Sequence, residues 1–118
     1  MNWKAGIAST MGAIAVLGTA GLAQAQPQTD WLGAGEARSF EGYLSAGENV
    51  FSICDANCFD IDMFLYDAES GELVGSDTLE DDIPVVTVPY DGYFLIEVLM
   101  VDCRASACEI MMGSDADL

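Results

Sequence analysis

The sequence predicts an all-β protein, an antiparallel β-sandwich of about seven short strands. Three observations carry the prediction. Apolar residues alternate with polar ones over short runs, turn signals recur every ~8–12 residues, and no apolar stripe of helical period follows the first 25 residues. A small barrel shares the same period of two, so alternation alone leaves it open as the second architecture.

The elements follow in order. Arg38 to Ser45 carries Phe40, Tyr43 and Leu44 before an Ala46-Gly47 turn, and Asn49 to Cys54 carries Val50, Phe51 and Ile53. Phe59 to Tyr66 has the clearest alternation: Ile61, Met63 and Leu65 share one face, and Asp60, Asp62, Phe64 and Tyr66 the other. A turn at Ser70-Gly71 leads to a short strand, Leu73 to Ser76. An acidic loop, Asp77 to Asp82, precedes Ile83 to Val88, where Pro84 points to an edge or a strand start. After Pro89-Tyr90-Asp91-Gly92 comes the long strand Tyr93 to Val101, with Phe94, Ile96, Val98 and Met100 directed to the core and Glu97 away from it. Cys108 to Met112 is the last strand. Met63, Met100, Met111 and Met112 read as gap-filling core residues.

The N-terminus reads as an export signal. Lys4 is followed by an uncharged apolar run, Ala5 to Leu22, and then by Ala23-Gln24-Ala25, the small-x-small pattern of a signal-peptidase site. Residues 1–25 are thus expected to be cleaved, 26–37 to form a flexible leader, 38–113 the domain, and 114–118 a frayed tail. No second stretch of spanning length follows, so no stable membrane insertion is expected after cleavage, and the location is the periplasm or the medium.

After cleavage two arginines face 20 acids, a formal charge of −18. Such a balance opposes nucleic acid and anionic membranes, favours cations or basic partners, and keeps a small secreted domain soluble and monomeric. Cys54, Cys58, Cys103 and Cys108 all lie in the exported part, where thiols oxidise. Four cysteines allow three connectivities. Local pairing is favoured because each pair flanks an apparent turn, although a cross pairing would close a longer loop and stabilise more on the entropic description. A zinc site is disfavoured: the chain has no His, and neither spacing is CxxC.

Two groups of residues are candidates for function. Asp60 and Asp62 project from one strand face, and a Ca²⁺ ion could sit between them and Asp77, Asp81 and Asp82 if the acidic loop folds back. Phe64, Tyr66, Tyr90 and Tyr93, with Trp31, are candidate rings of a binding surface. Catalysis is not expected. The chain is short for a water-excluding cleft, lacks His, and has no serine in a nucleophile motif; a hydrolase using paired carboxylates is the remote alternative.

The order of Phe40-Glu41-Gly42-Tyr43-Leu44, Ala46-Gly47-Glu48-Asn49-Val50, Asp60-Ile61-Asp62-Met63-Phe64-Leu65-Tyr66-Asp67, Gly71-Glu72-Leu73-Val74 and Gly92-Tyr93-Phe94-Leu95-Ile96-Glu97-Val98 resembles the bacterial pre-peptidase C-terminal domain family. The resemblance spans about Arg38 to Met112. It implies a jelly-roll-like sandwich, a secretion or matrix-binding accessory role, and calcium in some members. The two cysteine pairs depart from the family's common pattern, and the domain is expected to stand without a preceding catalytic domain. The expectation is therefore a non-catalytic exported binding or accessory domain for a protein, peptide or polysaccharide. A calcium-stabilised structural domain without its own ligand is the alternative.

Overall fold

A computed structural model describes residues 27–117; the predicted signal segment lies outside the described residues. Eight strands form in the order β1 (Gln28–Leu32), β2 (Ala37–Leu44), β3 (Asn49–Cys54), β4 (Cys58–Asp67), β5 (Leu73–Asp77), β6 (Val85–Thr87), β7 (Gly92–Cys103) and β8 (Cys108–Ser114), followed by a 3₁₀ turn at Asp115–Asp117. They make two four-stranded antiparallel sheets, ordered β1-β8-β3-β6 and β2-β7-β4-β5. Consecutive strands alternate between the sheets except at β4–β5, which is the strand order of a jelly roll. The architecture expected from sequence is the one observed.

The inner faces supply one core. Ile61, Met63 and Leu65 of β4 meet Phe94, Ile96, Val98 and Met100 of β7, and across the gap lie Val50, Val86, Ile110 and Leu32, all buried. Alternation does this directly, since residues two apart share a face. Ser52 is the buried polar exception on β3, and its hydroxyl donates to the Met111 carbonyl at 2.9 Å. Both seams between the sheets are closed by carboxylates. Asp30 of β1 pairs with Arg38 of β2 at 2.5 Å. Asp77 at the end of β5 accepts from Val85 N at 2.9 Å, which fastens β6.

Three boundaries differ from the sequence reading. The expected flexible leader contains β1, because Leu32 is fully buried and the strand pairs along its whole length with β8. The expected frayed tail is partly structured: Ser114 completes β8, and Asp115 accepts from Asn49 N at 3.0 Å. The strand expected over residues 83–88 is only three residues long, since Pro84 is outside the ladder and its carbonyl instead accepts from Ser52 N.

Gly75 on β5 faces Val86 of β6, in the other sheet. A Cβ there would stand 2.7 Å from Val86 Cγ1. Gly75→Ala is therefore expected to destabilise by about 1–3 kcal/mol by overpacking, read as a lower urea midpoint with unchanged slope.

The disulfides are local, Cys54–Cys58 and Cys103–Cys108, with Cα separations of 5.9 and 6.0 Å. Cys58 and Cys103 are ladder partners, so both bridges meet at one end of the sandwich. Asp55 binds that end to β8 twice: its N–H donates to the Glu109 carbonyl at 3.1 Å, and its carboxylate accepts from Glu109 N at 2.9 Å.

Candidate functional site

The outer face of the β2-β7-β4-β5 sheet is built from the residues that alternate with the core. On β7 these are Tyr93, Leu95, Glu97, Leu99 and Val101; on β4 they are Asp62, Phe64 and Tyr66; on β2 they are Ser39, Glu41 and Tyr43. Register sets them in rows. Tyr43 lies opposite Tyr93, Glu41 and Tyr66 flank Leu95, Ser39 and Phe64 flank Glu97, and Ala37 and Asp62 flank Leu99. The Tyr43 and Tyr93 rings meet edge to face at 5.2 Å, and both are more than half exposed. Beside them a shallow concavity of about 370 Å³ is lined by Glu41, Tyr66, Asp67, Ala68, Gly71, Leu95 and Glu97. The surface is thus aromatic and aliphatic, with carboxylates set through it.

Those carboxylates have no cation of the chain's own. Among the described residues the two basic side chains are Arg38 and Arg104. Arg38 is held by Asp30 at one seam. Arg104 is held by Asp102 at 3.1 Å and lies over the Phe59 ring, 4.3 Å from its centroid.

Asp60 and Asp62 lie at the disulfide end of this face. Each has one carboxylate oxygen that is buried and accepts no hydrogen bond. Desolvation raises the pKa of both. For Asp60 the neighbouring charges of Glu80, Asp81 and Asp102 add to it, against a backbone hydrogen bond from Asp81 that lowers it. For Asp62 the added charges are those of Asp60, Asp77 and Asp81. The acidic loop is anchored nearby, with Ile61 N donating to the Asp81 carbonyl at 3.1 Å.

The loop carboxylates expected to join them are turned to local work. Asp77 accepts from Leu79 N and Val85 N, and Asp81 accepts from Ile83 N at 3.0 Å. Asp82 is exposed. No group of three or more His, Cys, Asp or Glu among the described residues is placed to hold a metal ion.

Of the rings singled out from sequence, Phe64, Tyr66 and Tyr93 come together on this face. Tyr90 does not. Its hydroxyl donates to Asp67 at 2.5 Å, its ring packs on Phe94 at 5.3 Å, and the bond to Asp67 pushes its pKa up to about 12. The same bond, with the N–H groups of Ser70 and Glu69, lowers the Asp67 pKa. Tyr90 is a strut between two turns. Trp31 lies on the other sheet. Sequence reasoning missed Tyr43, Leu95, Leu99 and Glu41. The available signal was the near-continuous apolar run of β7, since a strand that is apolar on both sides covers a core with one and presents a surface with the other.

The chain matches no protein-family model and no curated protein sequence. Among solved structures it is similar to the crystal structure of Aeromonas hydrophila PliG, a periplasmic lysozyme inhibitor of g-type lysozyme, at 14% identity and a TM-score of 0.48, over 76% of this chain and 85% of that one. Likeness of this degree says nothing about what this chain binds.

Proposed function

We propose that this chain is a non-catalytic exported binding protein whose outer β2-β7-β4-β5 face docks a cationic protein or peptide. The observation that carries the reading is an exposed aromatic face whose carboxylates, Glu41, Glu97 and Asp62, have no arginine of the chain to pair with. A partner presenting lysines or arginines between apolar side chains would complete both parts of the surface: rings supply buried area and acids supply orientation and rapid encounter. A neutral polysaccharide would use the rings and leave the carboxylates desolvated without compensation. Export is supported by the predicted signal and by two disulfides, which persist in oxidising compartments. Among the described residues no helix is long and apolar enough to cross a membrane. The carboxylates lie on an open sheet in a chain without histidine, which favours binding over acid–base chemistry.

Fluorescence titration tests this with three sets of probes: arginine- and lysine-rich peptides carrying aromatic residues, acidic peptides of the same length, and neutral oligosaccharides. Only the cationic set is expected to bind, and its affinity should fall as salt rises. Tyr93→Ala should weaken binding about tenfold, and Glu41→Lys with Glu97→Lys should abolish it. Equal binding of the acidic peptides, or preference for the oligosaccharides, would overturn the reading.

A further inference from the structure

A ring from β4 beside a carboxylate from β7 occurs at two places along these strands, and one of them holds an arginine. At the disulfide end the ring is Phe59 and the acid is Asp102. The Arg104 guanidinium donates to both Asp102 oxygens, from Nε at 3.1 Å and from Nη2 at 3.2 Å, and its carbon stands 4.3 Å from the Phe59 centroid. Farther along the same strands Phe64 lies opposite Glu97 and Tyr66 opposite Leu95, and Glu41 of β2 lies on the other side of Leu95. Here the chain supplies no cation, since Arg38 is held by Asp30 and Arg104 by Asp102. The concavity of about 370 Å³ opens at this second place, with Glu41, Tyr66, Leu95 and Glu97 in its wall. Asp67 on its rim is already engaged: it accepts from Glu69 N, Ser70 N and the Tyr90 hydroxyl. Glu41 and Glu97 are the carboxylates with oxygens to offer.

We infer that this concavity receives one arginine side chain of the partner, with its guanidinium between Glu41 and Glu97 and its stem across Leu95, against the Tyr66 ring. The partner rests on the docking proposed above; the pocket adds the residue that partner must carry. Chemistry selects the occupant. Glu41 and Glu97 are diagonal neighbours across the β2–β7 ladder, with roots about 7–8 Å apart. A guanidinium has five donors in a planar fork for two such acids, is weakly hydrated, and stacks on aromatic faces. An ammonium is compact and strongly hydrated, so it gains less beside Tyr66 and Leu95. A metal ion gains nothing from that ring and aliphatic wall, and among the described residues no group of three or more His, Cys, Asp or Glu is placed to hold one. The volume is at the lower end for ligand sites, which suits a single side chain with an apolar stem. Arg104 on Phe59 and Asp102 is the same recognition made within the chain.

Two probes test this. The first is a pair of aromatic-containing peptides of equal net charge, one with a single arginine among lysines and the other with lysine in its place, titrated by fluorescence. The arginine peptide should bind about tenfold more tightly. The preference should shrink in Tyr66→Leu, disappear in Glu41→Gln with Glu97→Gln, and persist in Glu109→Gln on the other sheet. The second is N-acetylarginine amide against N-acetyllysine amide, followed by amide NMR. At roughly millimolar concentration the arginine compound alone should shift the signals of Ala68, Gly71 and Leu95. Equal affinities of the two peptides would overturn the arginine pocket and leave the docking intact. An arginine preference that survives the double glutamine substitution would also overturn it. If neither peptide binds, the docking falls, and the small probe decides the pocket by itself: selective shifts at Ala68, Gly71 and Leu95 uphold it, and their absence sinks it.

Discussion

Reducing both disulfides is expected to remove about 4 kcal/mol of stability, from loops of five and six residues at about 2 kcal/mol each on the chain-entropy description. A domain of this size has roughly 5–13 kcal/mol in total, so the loss should lower the melting temperature by about 15–30 °C. Position makes the bridges matter more than loop length alone. They meet at one end of the sandwich, where Cys58 and Cys103 are ladder partners and Cys58 and Cys108 are buried in the core cluster. One bridge joins β3 to β4, in different sheets, and the other joins β7 to β8, again in different sheets. Each therefore ties the layers together, and Asp55 and Glu109 add a hydrogen-bonded clip between them. With either bridge intact the end stays closed, so each single removal should cost less than its share of about 2 kcal/mol, and only removal of both the full amount. Scanning calorimetry of the oxidised chain, the reduced chain, Cys54→Ser/Cys58→Ser and Cys103→Ser/Cys108→Ser measures this. A drop below about 5 °C on full reduction would show that packing alone holds the sheets together.

How legible the molecule was in its sequence follows the same physical division. Where one face of a strand meets the core and the other meets water, as at Ile61, Met63 and Leu65, alternation shows both the strand and its orientation. β1 was hidden because it is a short edge strand of Gln, Thr, Asp and Trp with one core residue, Leu32, just before a turn containing Gly35 at φ 88°. Its place depends on pairing with β8, nearly 80 residues later, which no local pattern encodes. The site divides similarly. Phe64 and Tyr66 were found by parity along β4, and Tyr43 was missed because its partnership with Tyr93 is a cross-strand fact. Tyr90 and Tyr93 look alike in sequence, but a turn separates them, and only the fold hands one hydroxyl to Asp67. Loop direction was the least legible. The sequence places Asp77 near Asp62 in composition, and backbone N–H groups two and eight residues onward claim its oxygens.

The second large effect concerns Asp60 and Asp62. Asp62→Asn is expected to stabilise the protein at pH 7 by about 1 kcal/mol, since a buried carboxylate oxygen without a partner carries a desolvation cost that a neutral amide reduces. This should raise the melting temperature by about 4–8 °C. The dependence on pH fixes the cause. Both groups have folded pKa values above the unfolded value of 3.8, so the fold prefers them protonated. Their penalty is absent below pH 3.8, sets in as pH rises from there through the folded values, and is constant above them. Asp67 and Asp115 have lowered values, so their stabilisation is present above pH 3.8 and is lost as pH falls through their folded values. The wild-type chain should accordingly be most stable on the acid side of neutrality, above about pH 4, and its difference from Asp62→Asn should close as pH falls. A difference that stays constant from pH 8 down to about pH 3, below the unfolded value of 3.8, would assign the effect to packing. The same substitution should weaken the cationic peptides that the outer face is proposed to bind, because a carboxylate held against its own solvation lacks only a cation. Gaining stability and losing binding in one variant is what a functional carboxylate produces; gaining stability alone would remove Asp62 from the docking surface and leave Glu41 and Glu97 to carry the charge.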